Sequence, residues 1–199
     1  MQLIQQNPDI HAYLASDAAI DHWHPLVQDT ADALWSTTGD AYSYAKAAFE
    51  FVRDTIPHSA DSGDERVAWR ASDVLGTRNG ICYAKSHALV ALVRAQGVPA
   101  GLCYQRLADD DGANHLVHGL IALRLPGSDR WARLDPRGNK PGVDARFDLD
   151  REQLAFPVRP ELGEIDYPEL YAAPHPAALT ALQESADRPE LWRRLPTAL

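Results

Sequence analysis

The chain has 199 residues, a mass of 21.9 kDa and a formal net charge of −9, with 45% hydrophobic and 24% charged residues. That length buries a full core in one domain, and the acidic balance argues against a general nucleic-acid binder, which needs a basic surface. The sequence has no apolar run of membrane-spanning length, no basic-then-apolar secretory start in MQLIQQNPDIHAYLASD, and too few cysteines (two) for a disulfide scaffold, so the expectation is a soluble, cytoplasmic protein.

In chain order, Ile20 to Trp35 carries apolar residues at helical spacing, and Gly39 interrupts it. Asp40 is placed to cap a second helix, Ala41 to Thr55, which Ile56-Pro57 ends because proline moves its predecessor out of the α region. Residues 58–66 read as a polar loop, and Ser72-Asp73 as the start of a short helical turn. Beyond the turn-forming stretch Gly76–Gly80, Ile81 to Gln96 reads as a central helix, stopped by Gly97 and Pro99. Three segments of strand character follow: Ala100 to Leu107, Leu116 to Leu125 and Arg130 to Leu134. Their links are Asp109-Asp110-Asp111-Gly112 and the turn Pro126-Gly127-Ser128-Asp129. Residues 136–168 hold five prolines, and Pro174–Ala186 and Pro189–Leu195 read as terminal helices. The plan is α+β in a single domain, 1–199: an N-terminal helical segment 1–39, a core 40–138 and a C-terminal extension 139–199 packed on it.

Cys82 falls in the first turn of the central helix. A helix N-terminus carries partial positive charge and unsatisfied N–H groups. Both favour a thiolate placed there and can hold an oxyanion after that thiolate attacks a carbonyl. A thiolate nucleophile needs a base, and the base needs an orienting group. His118 and Asp135 are the candidates. With a four-residue turn at 126–129, Leu120 faces Asp135 and His118 faces Arg137. His118 and Asp135 then share one sheet face as diagonal neighbours, roughly 7–8 Å apart at the backbone. The central helix is expected on that same face, bringing the thiol to the imidazole.

The segment DVLGTRNGICYAKSHALVALVRAQGVPAGLCYQRL resembles the catalytic helix of the transglutaminase-like superfamily, through Leu75, Gly80, Cys82, Arg94, Gly97, Val98, Pro99 and Ala100. HGLIALRLPGSDRWARLDPRG is similar to the family's next block, through His118, Trp131, Asp135 and Pro136, and AAFEFVRDTIPHSAD to the helix leading into the core. The resemblance covers about residues 40 to 138. It implies a papain-like fold and a Cys82-His118-Asp135 triad performing thiol acyl transfer on a peptide or protein amide, with water or an amine as acceptor and no cofactor or metal. Departures are Gly119 and Leu120 after the histidine and Tyr83-Ala84-Lys85 after the cysteine, which bear on substrate preference. The stretch Arg78-Asn79-Gly80-Ile81-Cys82 is also similar to the R-G-G-x-C of arylamine N-acetyltransferases, with asparagine in place of a glycine. A different class of reading is an inactive member serving as a binding or scaffold module. Loss of a triad residue marks such members, and none is lost here.

The remaining candidates read as structural. His115 is a loop residue. His87, five positions after Cys82, is a surface or packing histidine. Cys103 is a buried strand residue. A zinc site from Cys82, Cys103, His115 and His118 lacks C-x-x-C pairs, and the Asp109–Asp111 run, weighed for calcium, is a solvated loop. The second oxyanion donor and the oligomeric state are not readable from the sequence.

Overall fold

The computed structural model describes residues 1–109 and 112–199. Asp110 and Asp111, the last two residues of the acidic run, lie outside the described residues.

A two-residue strand β1 (Ile4–Gln5) and a 3-10 turn (Ile10–Leu14) precede α1 (Pro25–Trp35). The helix starts five residues later than its apolar spacing suggests. Pro25 has no N–H to give and takes the first position, while the His24 ring caps it by accepting from the Leu26 N–H at 3.2 Å. α2 (Ala41–Thr55) is capped by Asp40, which accepts from the N–H groups of Tyr42 and Ser43. The expected polar loop contains one turn of helix, α3 (Ser59–Ser62), closed by Gly63 at φ 76°. The expected short turn is a longer helix, α4 (Ala71–Thr77).

α5 (Cys82–Ala95) is buried from Cys82 through Arg94 on all its faces, the condition of a helix surrounded by its own protein. Arg94 fixes its far end. The guanidinium donates to the carbonyls of Ala15, Ala100 and Ala172 at 2.5–3.0 Å, joining the helix to the start of the sheet and to segments from both ends of the chain.

The sheet is antiparallel in the order β4-β3-β2-β5, from β2 (Ala100–Ala108), β3 (His115–Leu123), β4 (Ala132–Leu134) and β5 (Ile165–Asp166). β3 and β4 pair Ile121 with Leu134 and Leu123 with Ala132, the register that the four-residue turn predicts. His115 opens β3 rather than lying in a loop, and its Nε2 sits 2.8 Å from the Leu162 carbonyl. β6 (Glu169–Leu170) runs parallel to β1, and α6 (Pro176–Gln183) and α7 (Arg188–Arg194) follow.

Alternation sorts the sheet into two faces. Leu102, Val117, Ile121 and Leu123 join the main core with α5. Cys103, Leu120 and Ala122 join a smaller cluster with Tyr13 and Leu170 on the far side. The class is α+β, with a central helix against a curled antiparallel sheet.

Candidate active site

Cys82 is the first residue of α5, and among the described residues no side chain caps that end. The N–H of Cys82, at the cleft, is therefore open to a ligand. Gly119 explains how the helix start reaches the sheet. A Cβ there would stand 2.5 Å from Cδ1 of Tyr83, so only glycine admits the ring. Tyr83 then donates its hydroxyl to the Val117 carbonyl at 2.5 Å. Drawn in this way, the Cys82 Sγ accepts the Gly119 N–H at 3.5 Å. β4 pairs β3 only over Ile121 to Leu123, so along Gly119 this edge meets the thiol in place of a strand.

His118 and Asp135 come together, and the expected face is corrected. By alternation His118 belongs with Leu120 and Ala122, on the side of the sheet away from α5. The helix does not cover that face. The thiol instead meets the ring at the open edge of β3, where a first-turn side chain of α5 reaches the sheet plane. His118 Nε2 lies 2.7 Å from Asp135 Oδ2, which leaves Nδ1 as the ring nitrogen available to Cys82, a side chain close enough to raise the pKa of the ring.

Asp135 is fully buried and both of its carboxylate oxygens are hydrogen-bonded. Oδ1 accepts the Arg137 N–H at 3.0 Å, and Oδ2 accepts the Ala155 N–H at 3.2 Å as well as the imidazole. Burial alone would raise its pKa, but the His118 charge and these bonds outweigh burial and lower it. Burial would likewise push His118 down. The Asp135 charge, the Cys82 charge and the hydrogen bonds to both prevail, raising it to about 10. The edge of Phe156 closes over the ring, with centroids 5.3 Å apart.

Cys82, His118 and Phe156 line a cleft of about 760 Å³, with Asp135 buried behind the imidazole. Its apolar wall includes Leu107, Leu116, Val143, Phe156, Trp192 and Leu195. Its polar residues include His58, Arg137 and Lys140. Arg137 and Lys140 both pair with Asp61, Lys140 at 2.8 Å. Burial would raise Asp61, but hydrogen bonds from these two cations hold its carboxyl at about 2. Behind the site, the wholly buried Lys85 donates to the Ile56 carbonyl at 2.5 Å and the Arg53 carbonyl at 3.4 Å, tying the end of α2 to α5. Burial, then Arg137, pushes its ammonium down to about 7.

The structural roles of His58, Lys85, Gly119 and Arg137 escaped the sequence reading, in which Lys85 and Gly119 figure only as departures from the family pattern. Each is one residue without a spacing partner, and only tertiary placement gives it a role. The register did place Arg137 opposite His118. His87 is a packing residue inside α5, not a surface one, with Nδ1 2.8 Å from the Trp69 carbonyl. Cys103 is buried on the far sheet face, and both cysteines are free. Among the described residues no group of three or more His, Cys, Asp or Glu is arranged to hold a metal ion, and no helix is long and apolar enough to cross a membrane.

The fold has known relatives. A protein from Cytophaga hutchinsonii described as a candidate cysteine protease superposes with a TM-score of 0.50 at 19% identity, over 66% of this chain and 43% of that one. A transglutaminase (TGase) structure matches with a TM-score of 0.43 at 13% identity, over 73% of this chain and 42% of that one. The chain thus spans less than half the length of either. No curated protein matches it in sequence. The family model of the transglutaminase-like superfamily matches residues 28–136, from within α1 to the residue after Asp135. The chain belongs to the transglutaminase-like superfamily.

Proposed function

We propose that this protein is a thiol acyl-transfer enzyme acting on amide bonds, with Cys82 as nucleophile, His118 as base and acid, and Asp135 as the group that orients the imidazole. The observation that carries this reading is the buried His118 ring, hydrogen-bonded to the Asp135 carboxylate and lining the same open cleft as Cys82. Membership of a superfamily with cysteine-dependent enzymes supports it.

In this reading the Cys82 proton passes to His118, and the sulfur attacks the carbonyl carbon of the amide. The carbonyl π pair moves to oxygen. When it returns, the C–N bond breaks, His118 gives its proton to the leaving amine, and a thioester remains on Cys82. Water or a second amine, deprotonated by His118, then takes the acyl group and restores the thiol. Asp135 keeps its charge throughout and stabilises the imidazolium. The apolar wall suits a peptide or protein segment with apolar side chains next to the reacting amide. The extension 139–199 is proposed as part of this site, since Ala155 and Phe156 hold the triad and Trp192 and Leu195 line the cleft.

Incubation with a peptide library, read by mass spectrometry, tests the reading, because cleavage, deamidation and crosslinking change mass differently. Turnover by the native chain and none by Cys82→Ala is the expected result. Turnover retained by Cys82→Ala removes the nucleophile assignment, and no turnover by either favours a binding module.

A further inference from the structure

The chemistry above leaves one demand unmet. The oxygen that becomes negative needs two donors, and the open N–H of Cys82 is only one of them. His58 lines the same cleft as Cys82. A parallel bridge pairs it with Gly80, and the Ser59 N–H donates to the Gly80 carbonyl at 3.2 Å, so the backbone of His58 is fastened two residues from Cys82.

The state of the ring is set by its neighbours. Nδ1 accepts the Ala60 N–H at 3.3 Å, so the single proton of the neutral ring sits on Nε2. Burial, then Arg137, holds the ring pKa down to about 3 against the opposing charge of Asp61, with Lys85 and His118 adding to the lowering. His58 is thus a neutral imidazole with an N–H donor, and among the described residues Nε2 has no hydrogen-bond partner. The other polar side chains of the cleft are engaged: Arg137 and Lys140 with Asp61, Asn114 with Asp109, Arg159 with Glu164. Trp192 stands at the rim, 38% exposed beneath Arg188.

We infer that His58 is the second oxyanion donor, its Nε2–H and the Cys82 backbone N–H together holding the carbonyl oxygen as the thiolate adds. The inference rests on Cys82 being the nucleophile. No proton moves from His58. It donates a hydrogen bond that strengthens as the π pair arrives on oxygen and weakens when the pair returns. A neutral donor suits this position, because an imidazolium there would set a third positive charge beside His118 and Arg137 and could lose its proton to the oxyanion.

The test compares two reactions of Cys82 in the full chain. Acylation by p-nitrophenyl acetate passes through an oxyanion, while alkylation by iodoacetamide does not. Their rate ratio therefore isolates the hole from the reactivity of the thiol. His58→Asn keeps the capping atom at the Nδ1 position and removes the outer donor. His58→Gln places an amide N–H near the Nε2 position and weakens the cap. Loss of one such donor costs roughly 10²–10³ in rate. The expected ratio falls about 100-fold in His58→Asn and stays within about 10-fold of the native value in His58→Gln. A merely structural His58 gives the reverse order, with Asn tolerated and Gln impaired, and that result overturns the inference. His58→Ser, a second capping variant without the donor, carries the same expectation should His58→Asn not fold. An unchanged ratio in either capping variant, with Cys82 still acylated, refutes His58 alone. Absence of acylation at Cys82 in the native chain refutes the nucleophile, and the inference with it.

Discussion

Asp135 accepts three hydrogen bonds from three donors, and this bears on how it tolerates change. Asp135→Asn must turn an NH2 group toward His118, Ala155 or the Arg137 N–H, each of which already donates. Two donors then face each other in a buried space. A penalty of about 1–3 kcal/mol in stability is expected from the unsatisfied group. With the NH2 turned toward His118 the tautomer is lost as well, and under the proposed mechanism roughly 10³–10⁴ in kcat is expected to go with it. Urea denaturation and turnover measured on one preparation check both. Gly119→Ala tests a different link. The added methyl meets the Tyr83 ring at 2.5 Å, so β3 and the first turn of α5 must part. Overpacking of this kind costs about 1–3 kcal/mol. Iodoacetamide labelling and turnover are expected to fall together, because the thiol and the imidazole separate.

At the scale of elements, α5 is pinned at both ends by charged side chains, Lys85 on the last carbonyls of α2 and Arg94 on three separate segments. Replacing Arg94 with methionine leaves three carbonyls unserved, and a loss of about 3–5 kcal/mol is expected in thermal or urea unfolding. Turnover per folded molecule is expected to stay near native, since Arg94 is at the end of the helix away from Cys82. Elements with local signals were readable in the sequence. Asp40 before an apolar stripe, Gly97 with Pro99 after one, and Pro-Gly-Ser-Asp between two strands each fix an end or a register within a few residues. β5 and β6 were not readable. They are two residues long, and β5 exists because the edge of β2 offers Gln105 and Arg106 a partner. The face of His118 failed for a related reason. Alternation gives its parity correctly, but which face the helix covers depends on Gly119, Tyr83 and the early end of β4, none of which has a periodic signature.

Over the whole molecule, two buried cations oppose each other in the pH dependence of stability. His118 gains an anionic partner on folding, so its contribution is complete below its ordinary value of 6.5 and is lost as pH rises toward about 10. Lys85 runs the other way. The unfolded lysine keeps its proton to about 10.5 and the buried one releases it near 7, so its contribution grows with pH across that interval. Between pH 7 and about 9 the two slopes offset each other, and native stability is expected to be nearly flat. In Lys85→Met only the falling slope remains, and in His118→Phe only the rising one. Urea midpoints at several pH values across this interval check the signs.

The two free thiols also make the molecule a clock for its own opening. Cys82 borders solvent in the cleft, whereas Cys103 is sealed between Tyr13, Leu120 and Leu170 and its thiol is pushed up to about 12 by burial. A thiol reagent at neutral pH therefore finds one sulfur in the folded chain and two in the unfolded chain. Modification of Cys103 marks molecules whose sheet has come away from Tyr13 and the strand carrying Leu170. Pulse labelling with an isotopic pair of reagents, read by mass, then separates occupancy of the cleft from breathing of the sheet. A compound seated over Cys82 is expected to slow the first modification by exclusion and the second by linkage, in proportion to its binding. Uptake at Cys103 matching that at Cys82 in the native state would mean that the far face opens as readily as the cleft.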